Sequence, residues 1–178
     1  LTGLTEGDVT WGDVDGDGLD DVLIASKDEV NLIFGNQSPS TTTFNADNIQ
    51  AGVGVKITGV SNAATTEIPL GYAGDVNNDG LSDVVIGAPT LGNNNSGQTL
   101  VVFGDSNITN ISSFDVSSLN GQNGFAITGA DSDNIGSSVS TVNDITGDGK
   151  NDLIIGTKNG KAYVVSGDNN GSSSIDLS

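Results

Sequence analysis

Gly74-Asp75-Val76-Asn77-Asn78-Asp79-Gly80-Leu81-Ser82-Asp83-Val84-Val85-Ile86-Gly87-Ala88-Pro89 decides the fold, because an acidic, glycine-bearing loop runs straight into a short β-branched strand. Two more segments align with it without a gap. The earlier one is Gly12-Asp13-Val14-Asp15-Gly16-Asp17-Gly18-Leu19-Asp20-Asp21-Val22-Leu23-Ile24; the later one is Asn143-Asp144-Ile145-Thr146-Gly147-Asp148-Gly149-Lys150-Asn151-Asp152-Leu153-Ile154-Ile155. Their first aspartates are 62 and then 69 residues apart, so the chain is an internal repeat.

Each copy leads to a second strand that ends in Phe34-Gly35, Phe103-Gly104 or Ser166-Gly167. An Ile-Thr-Gly mark follows at 57–59 and at 127–129, and Leu1-Thr2-Gly3 repeats that mark at the start. Short apolar strands separated by Gly, Asn, Asp, Ser and Thr leave no window for a long helix, which makes the chain all-β. Runs such as Val22-Leu23-Ile24 and Leu153-Ile154-Ile155 are apolar without alternation, as in strands covered on both faces. A period holding four strands is the size of a propeller blade. The reading is a single partial propeller of about three four-stranded antiparallel blades, with repeats at 4–60, 68–129 and 136–178. Because Ser173-Ser174-Ile175-Asp176-Leu177-Ser178 matches Ser112-Ser113-Phe114-Asp115-Val116-Ser117, the last blade is expected to be incomplete. Its open edge invites self-association or pairing with missing blades.

Within each loop, oxygen-bearing residues recur at positions one, three, five and nine. A hard cation such as Ca²⁺ takes about six to eight oxygen ligands, and a tight loop supplies them from alternate side chains and a backbone carbonyl. The first candidate site comprises Asp13, Asp15, Asp17, the Leu19 carbonyl and Asp21; the second Asp75, Asn77, Asp79, the Leu81 carbonyl and Asp83. The third comprises Asp144, Thr146, Asp148, the Lys150 carbonyl and Asp152, and its neutral Thr146 ranks it weakest. An EF-hand would need a glutamate at position twelve, where Ile24, Ile86 and Ile155 stand instead.

Composition removes whole classes of function. The 178 residues carry a formal charge of −18, with five Lys and no Arg, which argues against binding nucleic acid or an anionic membrane. The absence of Cys and His removes disulfides, Cys/His zinc sites, thiol nucleophiles and imidazole acid–base chemistry. Leu, Ile, Val and Phe make up 48 residues, enough for a packed core. With its paired carboxylates committed to the loops, the chain reads as no enzyme.

The run at Gly74 to Pro89, with Phe103-Gly104 behind it, resembles the FG-GAP repeat of integrin α-subunit propellers and bacterial integrin-like surface proteins. That resemblance implies a seven-bladed propeller with Ca²⁺ in the loop between the first two strands of a blade. It further implies an extracellular or cell-surface adhesion module with a protein or carbohydrate ligand on the face opposite the calcium loops. The lack of Cys points to a bacterial or cyanobacterial relative. The alternatives are a non-catalytic propeller part of a secreted hydrolase or lyase, and a purely structural spacer.

Asn107-Ile108-Thr109 and Asn110-Ile111-Ser112 match the glycosylation pattern by chance in a chain this rich in Asn, Ser and Thr. Trp11 and Tyr72 are expected to pack against a neighbouring blade, and Asp131-Ser132-Asp133 to form a solvated turn. Glu67, Asn94 and Asp131 are candidate partner contacts on the opposite face.

Overall fold

The computed structural model describes residues 8–26, 29–36, 48–60, 68–167 and 170–178. Leu1-Thr2-Gly3 and Glu67 lie outside the described residues. Among those described, thirteen strands run in chain order: β1 (Val9–Gly12), β2 (Asp21–Ser26), β3 (Glu29–Ile33), β4 (Gly54–Thr58), β5 (Leu70–Gly74), β6 (Asp83–Ala88) and β7 (Gln98–Val102) in the first half, then β8 (Ser113–Asp115), β9 (Gly124–Thr128), β10 (Ser138–Val142), β11 (Asp152–Gly156), β12 (Ala162–Val165) and β13 (Ser174–Asp176).

They form three sheets. The first is ordered β1-β2-β3-β4-β8, the second β13-β9-β7-β6-β5, and the third β10-β11-β12 among the described residues. Each of the first two is an antiparallel four-stranded blade carrying a fifth, parallel strand from the following repeat. β8 pairs with β4 through Ile57↔Phe114, and β13 pairs with β9 through Ile127↔Ile175. The duplicated Ser-Ser-Phe-Asp and Ser-Ser-Ile-Asp segments are therefore clips onto the outer edge of the preceding blade. Their likeness in sequence does not reveal this role.

Side-chain alternation explains the continuous apolar runs. Along β6, Val84, Ile86 and Ala88 enter one core with Leu23, Leu32 and Ile57 of the first blade, whereas Val85 enters another with Leu153 and Ile155 of the third. All six residues of β6 are buried because both its faces are covered. Phe103 and Phe125 meet edge to face in the second core, their ring centroids 5.9 Å apart.

Antiparallel reversal puts the β1–β2, β5–β6 and β10–β11 loops at one end of their blades and the β6–β7 and β11–β12 turns at the other. The acidic loops stand side by side: Ser82 N–H donates to the Asp13 carbonyl at 3.0 Å, and Asn151 N–H to the Asp75 carbonyl at 3.4 Å. Tyr72 does pack on the neighbouring blade, so closely over Gly12 that an added Cβ there would sit 1.7 Å from the ring. Trp11 differs, being 65 % exposed.

At the other end, Asp133 overturns the expectation of a solvated turn. It is 1 % exposed and accepts hydrogen bonds from Lys161 Nζ at 2.8 Å, Asn159 Nδ2 at 2.6 Å and the Tyr163 hydroxyl at 3.0 Å. Lys161 and Asn159 hold its carboxyl below the usual carboxylate range. The turn after β9 is thus anchored to the β11–β12 hairpin.

Candidate metal centres

The three loops share one hydrogen-bond plan. At position one, Asp13 accepts from the N–H groups of Gly16 at 2.8 Å and Gly18 at 3.0 Å. Asp75 accepts from Asp79 and Gly80, both at 2.9 Å, and Asp144 from Gly147 at 2.5 Å and Gly149 at 2.8 Å. Curling the backbone around that carboxylate requires positive φ at positions four and six. Gly16, Asn78 and Gly147 have φ of 81°, 64° and 84°, and Gly18, Gly80 and Gly149 have φ of 86°, 90° and 85°. Glycine enters this region without a Cβ clash, and asparagine is among the few other residues that tolerate it.

Position five faces the same turn from the other side. Asp17, Asp79 and Asp148 accept from the N–H groups of Leu19, Leu81 and Lys150 at 2.8, 2.8 and 2.9 Å. Asp148 also accepts from the Ser166 hydroxyl, which lowers its pKa. Ser166, standing where the other repeats have Phe34 and Phe103, is thereby tied to the third loop.

Position nine does something the spacing did not reveal. Asp21 Oδ2 accepts from Val14 N–H and its Oδ1 from Gly35 N–H, both at 2.8 Å. Asp83 does the same with Val76 at 2.6 Å and Gly104 at 2.9 Å, and Asp152 with Ile145 at 2.7 Å and Gly167 at 3.3 Å. Each carboxylate therefore ties the start of its loop to the residue just past the second strand of the hairpin. These three aspartates are 0–1 % exposed, and burial pushes Asp83 up to about 7 and raises Asp21. The glycine of each Phe-Gly or Ser-Gly pair is needed because the chain passes very close to its neighbours. A Cβ on Gly104 would meet the Ser82 carbonyl at 2.7 Å and Val14's, in the neighbouring loop, at 2.9 Å.

Position three separates the loops. Asp15 Oδ1 accepts from Asp17 N–H at 3.1 Å, and Asn77 Oδ1 from Asp79 N–H at 3.0 Å. Thr146 instead donates its hydroxyl to Asp152 at 3.1 Å. Only the first loop has acids at positions one, three and nine together. There the ligand atoms of Asp13, Asp15 and Asp21 lie within 4.8 Å of one another, the one such group among the described residues. Burial, reinforced by the charges of Asp17 and Asp13, raises Asp15.

Clustered carboxylate oxygens with no nitrogen or sulfur donors suit a hard divalent cation, whose charge would offset the desolvation and repulsion that raise Asp15, Asp21 and Asp83. Asp13, Asp15 and Asp21 fit such an ion best, with Asp17 and the Leu19 carbonyl as further oxygens of the loop. In the second loop Asn77, and in the third Thr146, supplies a neutral oxygen to Asp75, Asp79 and Asp83 or to Asp144, Asp148 and Asp152.

No curated protein matches the chain. The FG-GAP repeat family model matches residues 71–102 and 135–175, which include the second and third acidic loops and the strands on either side of them. The unmatched loop at 13–21 has the same position-one turn and the same position-nine bridge. Over those two segments, the chain is similar to the FG-GAP repeat family.

Proposed function

We propose that this chain is a non-catalytic, calcium-stabilised propeller module that recognises a protein or carbohydrate partner outside the cell. The observation that carries the reading is the convergence of Asp13, Asp15 and Asp21 on one point, in a loop whose backbone pattern recurs twice more. Extracellular calcium, at millimolar level, saturates even weak sites of this kind, and cytosolic calcium leaves them empty. The aspartates are engaged with backbone N–H groups, which favours a binding role over acid–base turnover.

The partner surface in this reading is the end away from the acidic loops. There the β6–β7 turn and the β9–β10 turn join, with Ser132 N–H donating to the Asn94 carbonyl and Asn134 N–H to that of Asn95, both at 3.0 Å. The exposed Asn94 and Asp131 side chains are bonded to each other at 3.0 Å and present a polar ridge.

Thermal melts with calcium and with excess chelator test the calcium reading. A ligand bound only by the folded state adds about 2.7 kcal/mol at a hundredfold excess over Kd, a shift of roughly 5–11 °C for one site in a chain of this size. Asp13→Ala is expected to lose more of that shift than Thr146→Ala. A melt that chelation leaves unchanged would falsify the calcium reading.

A further inference from the structure

On the acidic-loop side of the second blade lies a cavity of about 650 Å³, which Asp79 and Leu81 of the second loop border at one edge. Its volume falls within the range of about 300–1,000 Å³ typical of small-ligand sites. Val102, Ile108 and Phe114 give it an apolar floor, and Asp105, Asn110 and Gln122 a polar rim. The rim is partly preorganised. Asp105 Oδ1 accepts from the Asn107 backbone at 2.8 Å and its side chain at 3.0 Å, and the Asp105 carbonyl accepts from Ile108 N–H at 2.8 Å.

The rim's remaining capacity points to the ligand. Asp105 Oδ2 and the exposed amides of Asn110 and Gln122 make no hydrogen bond among the described residues, so acceptors and donors both face the opening. Among the described residues no lysine lines the cavity, and the chain carries −18, so a phosphate, sulfate or carboxylate group would meet repulsion. An apolar floor beneath amides and a carboxylate matches a sugar ring, whose C–H face seeks apolar cover while its hydroxyls both donate and accept.

We propose that this cavity is a binding site for a short neutral oligosaccharide, separate from the partner surface at the other end of the blades. The site needs the fold of the second repeat but not the calcium reading, because Asp105, Asn110 and Gln122 lie outside the acidic loop.

The test uses the whole chain in calcium, titrated with cellotetraose, chitotetraose, maltotetraose and a sulfated oligosaccharide by saturation-transfer NMR and calorimetry. At least one neutral tetrasaccharide is expected to bind. Asn110→Ala combined with Gln122→Ala should weaken it by about tenfold, as expected for losing hydrogen bonds of ordinary strength, with no change in the melt. Asn94→Ala, at the far end, should leave binding unaltered. No neutral sugar bound at about 10 mM, equal binding to the double variant, or preference for the sulfated sugar would each overturn the proposal. Loss of the calcium-dependent melt alone would count against the calcium reading and leave this one standing.

Discussion

Replacing Asp83 by Ala separates the two roles that an acidic loop residue can hold. Asp83 is 0 % exposed, and its carboxylate caps the buried N–H groups of Val76 and Gly104. Each buried donor left without a partner costs about 1–3 kcal/mol, so the substitution removes roughly 2–6 kcal/mol before any metal is considered. Asp79 is exposed, and its partner Leu81 N–H can turn to water, which limits Asp79→Ala to about 1 kcal/mol without metal. The comparison belongs at about pH 5 in excess chelator. Burial places the Asp83 pKa at about 7 in the folded state, above its unfolded value, so the metal-free protein loses stability as pH rises from about 4 toward 7. At about pH 5, below the folded-state value, the carboxyl is neutral in the folded protein and most of the charge penalty has not yet developed, so it does not mask the lost bonds. At roughly 2–4 °C per kcal/mol, Asp83→Ala should melt about 4–24 °C below the parent and Asp79→Ala within about 4 °C of it. Asp83→Asn should not restore the melt, because an amide turns its NH₂ toward at least one of the three N–H groups, of Val76, Asn77 and Gly104, that donate to the carboxylate. Equal melting of the Asp83→Ala and Asp79→Ala variants under chelation would refute the clamp.

Two further outcomes follow from close packing and from the ion pair that the exposed Lys161 makes with the buried Asp133. Gly104→Ala drives a methyl group into backbone atoms of two adjacent loops and should cost about 1–3 kcal/mol, read as a lower melting temperature both with and without calcium. The Asp133–Lys161 pair stabilises the fold between two limits: its contribution is lost as pH falls through the lowered pKa of Asp133, and again as pH rises through the raised pKa of Lys161. A Lys161→Met variant should therefore show a smaller pH dependence of melting at both extremes, and melting curves from acid to alkaline pH will check this.

What the sequence by itself determined is local. The turn chemistry of each acidic loop, its ligand types and the strand that follows lie within about a dozen consecutive residues, so spacing alone exposes them. The continuous apolar runs likewise announce buried strands, and β6 is covered on both faces, but the expectation of two covered faces fails on β11, where Ile154 is 38 % exposed between buried Leu153 and Ile155. Tertiary structure decided whatever depends on partners far along the chain. The position-nine aspartates reach glycines 14, 21 and 15 residues away, because a hairpin brings the end of its second strand back beside the loop. Asp133 finds its partners 26 to 30 residues on, so a segment that reads as a solvated turn is buried. The parallel clips of β8 and β13 depend on pairing with the preceding blade, and local propensity carries no record of which strand edge a segment will meet.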